Sequence, residues 1–179
     1  MATRFSGFGS RLTEAELPVQ AAAICYREAG ESAEFLLVNT SSGKWTFPKG
    51  RLNPSMSASE SAAQEAWEEA GARGRIAETH FGSYTDTKRG LGHDARTREV
   101  RILAFAFQVR STVIPEESGR NPRWFSPREA KRQLAEGRSP RSARQIATII
   151  DTVTEVLMVS QRSLSPLFGS QPRRLASVR

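Results

Sequence analysis

The chain has 179 residues, of which 38% are hydrophobic and 25% are charged, and its formal net charge is +7. This length suits one domain and excludes two large ones, while the composition excludes a wholly disordered chain and predicts no membrane-spanning segment. The positive charge favours anionic partners, which include phosphorylated metabolites, nucleic acid and acidic surfaces.

The first segment of the chain, residues 1–18, is polar and contains glycine, so we expect it to be flexible. It has no apolar run of the kind that a secretory signal requires, and a single cysteine, Cys25, cannot form an internal disulfide. These features predict a cytoplasmic, reduced protein with no membrane association.

A β-hairpin is predicted next. The apolar stretches 19–27 and 34–39 flank a turn-rich segment that contains Gly30.

A helix over about 58–70 follows. Ser57 and Glu60 form a capping box, and Gly71 suits the position just after a helix. Alanines at every fourth position give this helix a smooth face for close packing.

Residues 73–85 predict a strand pair or one long strand, and residues 98–109 predict a central strand because apolar side chains lie on both of its faces. The charged segment between them, 86–98, is predicted to be an exposed loop.

A short strand at 123–125 precedes a helix that begins at Ser126 and ends at Gly137. Ser139 and Pro140 open a last helix, whose apolar residues keep a 3.6-residue period. The simplest assembly is a mixed sheet between helices.

Three glutamates, Glu65, Glu68 and Glu69, lie within one turn of the first predicted helix. Each like-charge pair at this spacing costs roughly 0.2–0.5 kcal/mol. Carboxylates in the last turn also oppose the helix dipole, by about 0.3–1 kcal/mol. The cluster is therefore a solvated acidic face, a group neutralised by nearby Arg or Lys, or a site for a divalent cation.

The residues before the helix favour the cation. Gly50 permits close approach of the backbone, and Lys49 and Arg51 place two positive charges in the loop that leads into the acidic helix. Mg²⁺ commonly bridges protein carboxylates and substrate phosphates, so the pattern predicts a site for a phosphoanhydride.

Residues 50–72 resemble the Nudix box, whose pattern is Gly, five residues, Glu, seven residues, then Arg-Glu-apolar-any-Glu-Glu-any-Gly-apolar. The glycines stand at the required separation, and the three glutamates fall on glutamates of the box. The matching residues are Gly50, Glu65, Ala66, Glu68, Glu69, Gly71 and Ala72.

Two positions depart from the box: Met56 stands where the family has its first Glu, and Gln64 stands where it has Arg. In the family these side chains help to brace the loop and the helix. Replacing both partners of a charged pair is better tolerated than removing one, so the departures leave the predicted metal-binding residues in place but suggest an altered site.

The resemblance implies an α/β (α+β) fold, an α/β/α sandwich with a curved mixed β-sheet between helices, over residues 19–161. Residues 162–179 contain four arginines and no acid, and are predicted to be a basic, flexible tail.

The resemblance also implies hydrolysis of a nucleoside diphosphate linked to another group, or of a related polyphosphate, with Mg²⁺ or Mn²⁺. Glu65, Glu68 and Glu69 would hold the metal and carry catalysis. Lys49, Gly50 and Arg51, together with Lys88 and Arg89 of the basic loop, would bind the anionic phosphorylated substrate.

The general base is left open between a box glutamate and an acid from a distant loop. His93 is a candidate donor to a phosphate, and Arg96 and Arg98 extend the basic group. The candidate distant acids are Asp94, Glu99, Glu116 and Glu117.

The hairpin, the "KWTFPKGRL" segment and the basic loop resemble the branch that acts on diphosphoinositol polyphosphates and dinucleoside polyphosphates. A catalytically impaired Nudix-like module that binds a nucleotide or RNA is the alternative, motivated by Met56, Gln64 and the basic tail. RNA is the less favoured ligand, because the chain lacks the aromatic-rich sheet motif of common RNA-binding modules.

Overall fold

A computed structural model describes residues 17–30, 32–89 and 97–164. The described residues form eight strands and three helices. In chain order these are β1 (Val19–Ala29), β2 (Ser32–Asn39), β3 (Trp45–Thr46), β4 (Lys49–Arg51), α1 (Ala58–Ala70), β5 (Ala72–Ile76), β6 (Gly82–Arg89), β7 (Thr97–Thr112), β8 (Arg123–Phe125), α2 (Pro127–Ala135) and α3 (Pro140–Leu164).

The strands form one mixed sheet with β1 and β7 at its centre. These two strands are parallel, with Ala21 opposite Leu103, whereas β2 and β4 pair antiparallel with β1. Strands β5 and β6 do not pair with each other in the described sheet; both lie antiparallel to β7. The predicted hairpin and central strand are therefore confirmed.

The three helices cover the two faces of the sheet. Because side chains alternate along a strand, Ala21 and Ala23 of β1 face one cluster, which includes the alanines of α1. Ala22 and Ile24 face the other cluster, which includes the apolar residues of α2 and α3. This layering confirms the predicted α/β/α arrangement.

The ends of α1 and α2 follow the local signals in the sequence. Ser57 and Glu60 make a complete capping box at the start of α1, and Ser126 and Glu129 make a second one at the start of α2. Gly71 ends α1 with φ of 60°, a left-handed conformation that glycine adopts without strain.

The predicted loop over 86–98 is wrong at both ends, because β6 continues to Arg89 and β7 begins at Thr97. The turn-forming and charged residues at these strand ends show no strand pattern in the sequence. Antiparallel pairing with the opposite strand stabilises them.

Helix α3 runs to Leu164, so it extends into the segment predicted as a tail. Residues 165–179 and 1–16, which make up most of the predicted flexible segments, lie outside the described residues. Among the described helices, none is both long and apolar enough to span a bilayer.

Candidate active site

Gly50 and Glu65 are in direct contact where β4 passes α1. Gly50 pairs with Ala21 of the central strand β1 and is buried. A Cβ atom placed on Gly50 would lie 1.6 Å from Oε1 of Glu65. Glycine therefore leaves the space that the Glu65 carboxylate occupies.

Glu69 is the most deeply buried of the three glutamates, with 3% of its surface exposed. The backbone N–H of Lys49 donates to its Oε2 at 3.2 Å, and Nη2 of Arg120 binds its Oε1 at 2.6 Å. A buried carboxylate needs such partners, because burying an unpaired charge is costly.

Arg120 comes from the loop between β7 and β8, residues 113–122, which lies over the C-terminal end of α1. The N–H of Val113 donates to the carbonyl of Gly71, and the N–H of Glu117 donates to the carbonyl of Glu68, both at 2.9 Å. This loop therefore satisfies carbonyls that the helix end leaves without intrahelical partners.

The same loop adds a fourth carboxylate to the cluster. Nε and Nη2 of Arg120 bind Oε2 of Glu117 at 2.7 and 2.6 Å. Since Nη2 also binds Glu69, one guanidinium nitrogen joins the two carboxylates.

The two departures from the box have different local consequences. Nε2 of Gln64 donates to Oε1 of Glu68 at 2.7 Å, so an amide holds one glutamate of the cluster. Met56 lies in the turn before α1 and is 42% exposed. The turn therefore presents an apolar side chain to solvent where the family has a carboxylate.

Two glutamates of the cluster have raised pKa values. Burial raises the pKa of Glu65 to about 7, with further contributions from Glu69, Glu68 and Glu117, in that order. Burial also raises the pKa of Glu69, although Arg120 and Lys49 oppose this shift. Burial, more than repulsion between the carboxylates, therefore disfavours the charged forms of Glu65 and Glu69.

This donor set suits a hard divalent cation, because it consists of carboxylate oxygens. Gly50 contributes to this fit, because its missing side chain leaves the space that the Glu65 carboxylate occupies. Within the described ranges, no three Asp, Glu, His or Cys side chains are placed so that together they could hold a metal ion.

The basic residues predicted to bind the substrate lie in different parts of the structure. Lys49 is next to Glu69, and Arg51 is exposed at the end of β4. The backbone of Lys88 and Arg89 ends strand β6, opposite Arg98 and Thr97 of β7. Asp94, His93 and Arg96 lie outside the described residues.

The three candidate distant acids that the structure describes lie in different surroundings. Glu117 is at the cluster, whereas Glu116 accepts a hydrogen bond of 2.7 Å from Nε1 of Trp67 on α1. Glu99 lines a different cavity, together with Asp86 and Arg138 near the start of α3. Among the described candidates, Glu117 is thus the one that contacts the residues of the cluster.

Sequence reasoning missed Arg120. The segment around it, "IPEESGRNPR", shows no periodicity, and Arg120 is far from the box in sequence. An arginine three residues after a loop acid was the only available signal, and many exposed pairs have that spacing.

Comparison with known proteins identifies the family of this chain. A model of the NUDIX domain family matches residues 16–149. The chain belongs to the NUDIX family. It is a Nudix-type pyrophosphohydrolase, and enzymes of this family generally use divalent metals.

Solved structures share the fold at low sequence identity. A C. elegans Ap4A hydrolase in a binary complex is 18% identical, with a TM-score of 0.57 over 80% of this chain and 99% of the other. A NUDIX hydrolase from Nitrosomonas europaea is 24% identical, with a TM-score of 0.57 over 78% and 92%. The NUDIX domain of Shewanella oneidensis NrtR, complexed with ADP ribose, is 13% identical, with a TM-score of 0.56 over 82% and 99%.

Proposed function

We propose that this Nudix protein is a divalent-metal-dependent hydrolase of a phosphoanhydride bond in a nucleoside diphosphate derivative or a related polyphosphate. Dinucleoside polyphosphates and diphosphoinositol polyphosphates are the favoured substrates, and Mg²⁺ or Mn²⁺ is the cofactor. The observation that carries this proposal is the partly buried carboxylate cluster, in which Glu65 fills the space that Gly50 leaves open.

The glutamates of α1 have separate tasks in this proposal. Glu65 and Glu69 bind the cation. Glu68, whose carboxylate accepts a hydrogen bond from Gln64, adds a further negative charge beside them. The cation would polarise the phosphoanhydride and lower the pKa of the attacking water. Lys49 and Arg51, at the edge of the cluster, bind the phosphates of the substrate.

The general base is proposed to be Glu117, because its carboxylate shares Arg120 with Glu69 and it lies on a loop that is exposed to solvent. A base must reach the attacking water, and a loop acid beside the metal ligands satisfies that requirement. Lys88 and Arg89, at the end of β6, are proposed to bind the more distant part of a long anionic substrate.

The choice of substrate class draws on two solved structures of the same fold. One is an Ap4A hydrolase, and the other holds ADP ribose. Ap4A and ADP ribose are both adenosine compounds linked through phosphates, so dinucleoside polyphosphates and nucleoside diphosphate derivatives are the first to be tested here.

A turnover screen tests this proposal. Purified protein is incubated with Mg²⁺ or Mn²⁺ and a panel of dinucleoside polyphosphates, nucleoside triphosphates, nucleotide sugars and inositol pyrophosphates. We expect release of phosphate or nucleotide from at least one class. Glu69→Gln should slow that reaction by about 100-fold or more, because it removes a charged ligand at the centre of the site.

The control for this screen is Glu34→Gln, which changes a carboxylate that pairs with Arg27 in the β1–β2 hairpin. This variant should keep the wild-type rate. No turnover of any class by the wild-type protein, or an unchanged rate in Glu69→Gln, would contradict the proposal.

A catalytically impaired module that binds a nucleotide or RNA is the second candidate. The ion pair between Arg120 and Glu69 favours it, because this contact neutralises a carboxylate that the hydrolase needs. Metal-independent ligand binding without turnover would support this candidate. Binding of RNA should weaken steeply with added salt, since phosphate contacts release counterions.

A further inference from the structure

Arg120 is attached to the cluster through several bonds. Its Nη2 binds Glu69 and Glu117, each at 2.6 Å, and its Nε binds Glu117 at 2.7 Å. Its Nη1 donates to the carbonyl of Asn39 at 3.3 Å, and its own carbonyl accepts from the N–H of Asn39 at 2.6 Å. The guanidinium is thus tied to strand β2 as well as to the carboxylates.

This guanidinium is the main positive charge on Glu69. Among the groups that lower the pKa of Glu69, Arg120 contributes most, ahead of Lys49. A guanidinium stays protonated at any pH that the folded protein tolerates. Glu69, with 3% of its surface exposed, therefore has a permanent counter-charge in the metal-free protein.

The same contact conflicts with metal binding. Arg120 holds Oε1 of Glu69, so a cation that binds this oxygen meets a positive charge in the same place. Two positive charges that contact the same oxygen atom repel each other strongly in a partly buried site. The cation and Arg120 therefore compete for Glu69.

Release of Glu69 would not free Arg120 altogether. Its bonds to Glu117 and to Asn39 do not involve Glu69, so the side chain can shift by a small amount and keep most of its partners. A competitor held this close acts at a high effective concentration, since it cannot diffuse away.

We propose that Arg120 is a built-in counter-cation: it neutralises Glu69 in the metal-free protein, yields Glu69 to the divalent cation, and so raises the metal concentration at which the site fills. This inference rests on the proposed function, because it takes Glu69 to be a metal ligand. It assigns Arg120 a role in setting metal affinity.

The test compares wild-type protein with Arg120→Ala, using Mn²⁺ alone as the probe. Calorimetric titration gives the affinity for Mn²⁺, and thermal unfolding with EDTA or with saturating Mn²⁺ gives the stability. Arg120→Ala should bind Mn²⁺ about ten-fold more tightly, which is an ordinary size for coupling between two ligands of one site.

Stability should change in a metal-dependent way. With EDTA, Arg120→Ala should melt below the wild type, because Glu69 is left buried without its main counter-charge. Saturating Mn²⁺ should reduce or remove that difference, since the cation replaces the lost charge and stabilises the folded state that binds it.

The matched control is Arg27→Ala, which breaks an arginine–glutamate pair, Arg27 with Glu34, in the β1–β2 hairpin. Its affinity for Mn²⁺ should equal that of the wild type, and its loss of stability should be the same with EDTA and with Mn²⁺. If Arg120→Ala does not fold, Arg120→Gln removes the charge but keeps hydrogen-bond donors, and the same increase in affinity is expected.

The outcomes separate the two proposals. If the wild-type protein neither binds Mn²⁺ nor gains stability from it, the proposed metal site is wrong and this inference fails with it. If the wild type binds Mn²⁺ and the Arg120 variant binds it with equal or lower affinity, the counter-cation is overturned while the metal site stands.

Discussion

The backbone of Gly50 is in contact with the charged side chain of Glu65. Strand β4 brings Gly50 against α1, and the carboxylate of Glu65 lies where a Cβ atom would be. The glycine of the box therefore leaves room for the Glu65 carboxylate, in addition to shaping the loop.

Gly50→Ala tests this contact. The added methyl group meets the end of a flexible side chain, so Glu65 should move aside at modest cost in stability. Its displacement should weaken Mn²⁺ binding by about ten-fold or more, the size of effect seen when the support of a metal ligand is lost. Calorimetric titration with Mn²⁺ and thermal unfolding measure the two effects.

Gly82→Ala is the control for this substitution. A Cβ at Gly82 would lie 3.5 Å from Cγ1 of Ile149, which is an ordinary contact on the other side of the sheet. Its affinity for Mn²⁺ should be unchanged. Equal affinities in wild type, Gly50→Ala and Gly82→Ala would show that Glu65 does not need the space that Gly50 leaves.

The pKa of Glu65 predicts how the metal-free protein responds to pH. This pKa is raised from 4.5 to about 7, so the folded state holds the proton more tightly than the unfolded chain. The resulting stabilisation is present below the unfolded value and is lost as pH rises through the folded one. In EDTA, the melting temperature of the wild type minus that of Glu65→Gln should therefore fall between about pH 5 and about pH 8.

Thermal unfolding of both proteins across this pH range measures the difference. Glu28→Gln, which changes a glutamate in the β1–β2 hairpin, controls for the general effect of losing a negative charge. A difference between wild type and Glu65→Gln that stays constant with pH would contradict the raised pKa.

At the scale of elements, the two ends of α1 serve the site differently. The N-terminal end is closed locally by Ser57 and Glu60. The C-terminal end depends on the loop between β7 and β8, which packs so closely that a Cβ at Gly71 would lie 2.1 Å from the carbonyl oxygen of Val113. The loop that carries Glu117 and Arg120 is thus positioned by the end of the box helix.

Loss of a cap should therefore reduce stability without changing the chemistry of the site. Ser57→Ala removes the acceptor for the N–H of Glu60, at a cost of about 1 kcal/mol. Ser126→Ala, in the equivalent box of α2, should cost a similar amount. Chemical denaturation measures both losses, and Mn²⁺ affinity should stay at the wild-type value in each variant.

If Ser57→Ala remains folded but no longer binds Mn²⁺, the cap affects the site as well as stability, and this separation of roles is wrong. The pair of variants makes the comparison direct, because both remove the same hydroxyl from the same motif. The carboxylate cluster lies on α1, whereas α2 packs in the cluster on the other face of the sheet.

At the scale of the whole molecule, the parallel pairing of β1 with β7 organises both sides of the site. Strand β1 carries β4 and the hairpin, and the end of β7 leads into the loop that holds Arg120. Segments that are distant in sequence therefore meet around α1. The family match over residues 16–149 spans all of these segments.

The sequence predicted what depends on local signals. Caps at Ser57 and Gly71 delimit α1 correctly, and the apolar alternation of 98–109 identifies the central strand. The spacing of the three glutamates identifies the box, because a helix converts fixed spacing into neighbouring positions on one surface.

The sequence did not predict what depends on tertiary contacts. The partner of Glu69 is Arg120, on a loop whose path is set by hydrogen bonds to Gly71, Glu68 and Asn39. No short-range pattern encodes those bonds. For the same reason Glu117 could be proposed as one of several acids but not distinguished from Glu99, which lies at another cavity.

Glu65 and Glu69 are proposed to bind a divalent cation next to a substrate phosphate. The most direct measurement is an anomalous diffraction map from crystals grown with Mn²⁺ and a non-hydrolysable dinucleoside polyphosphate. We predict a manganese peak bound by both carboxylates, with Arg120 no longer on Oε1 of Glu69. A map without manganese at this cluster, in which Arg120 still holds Glu69 beside the bound analogue, would contradict the claim.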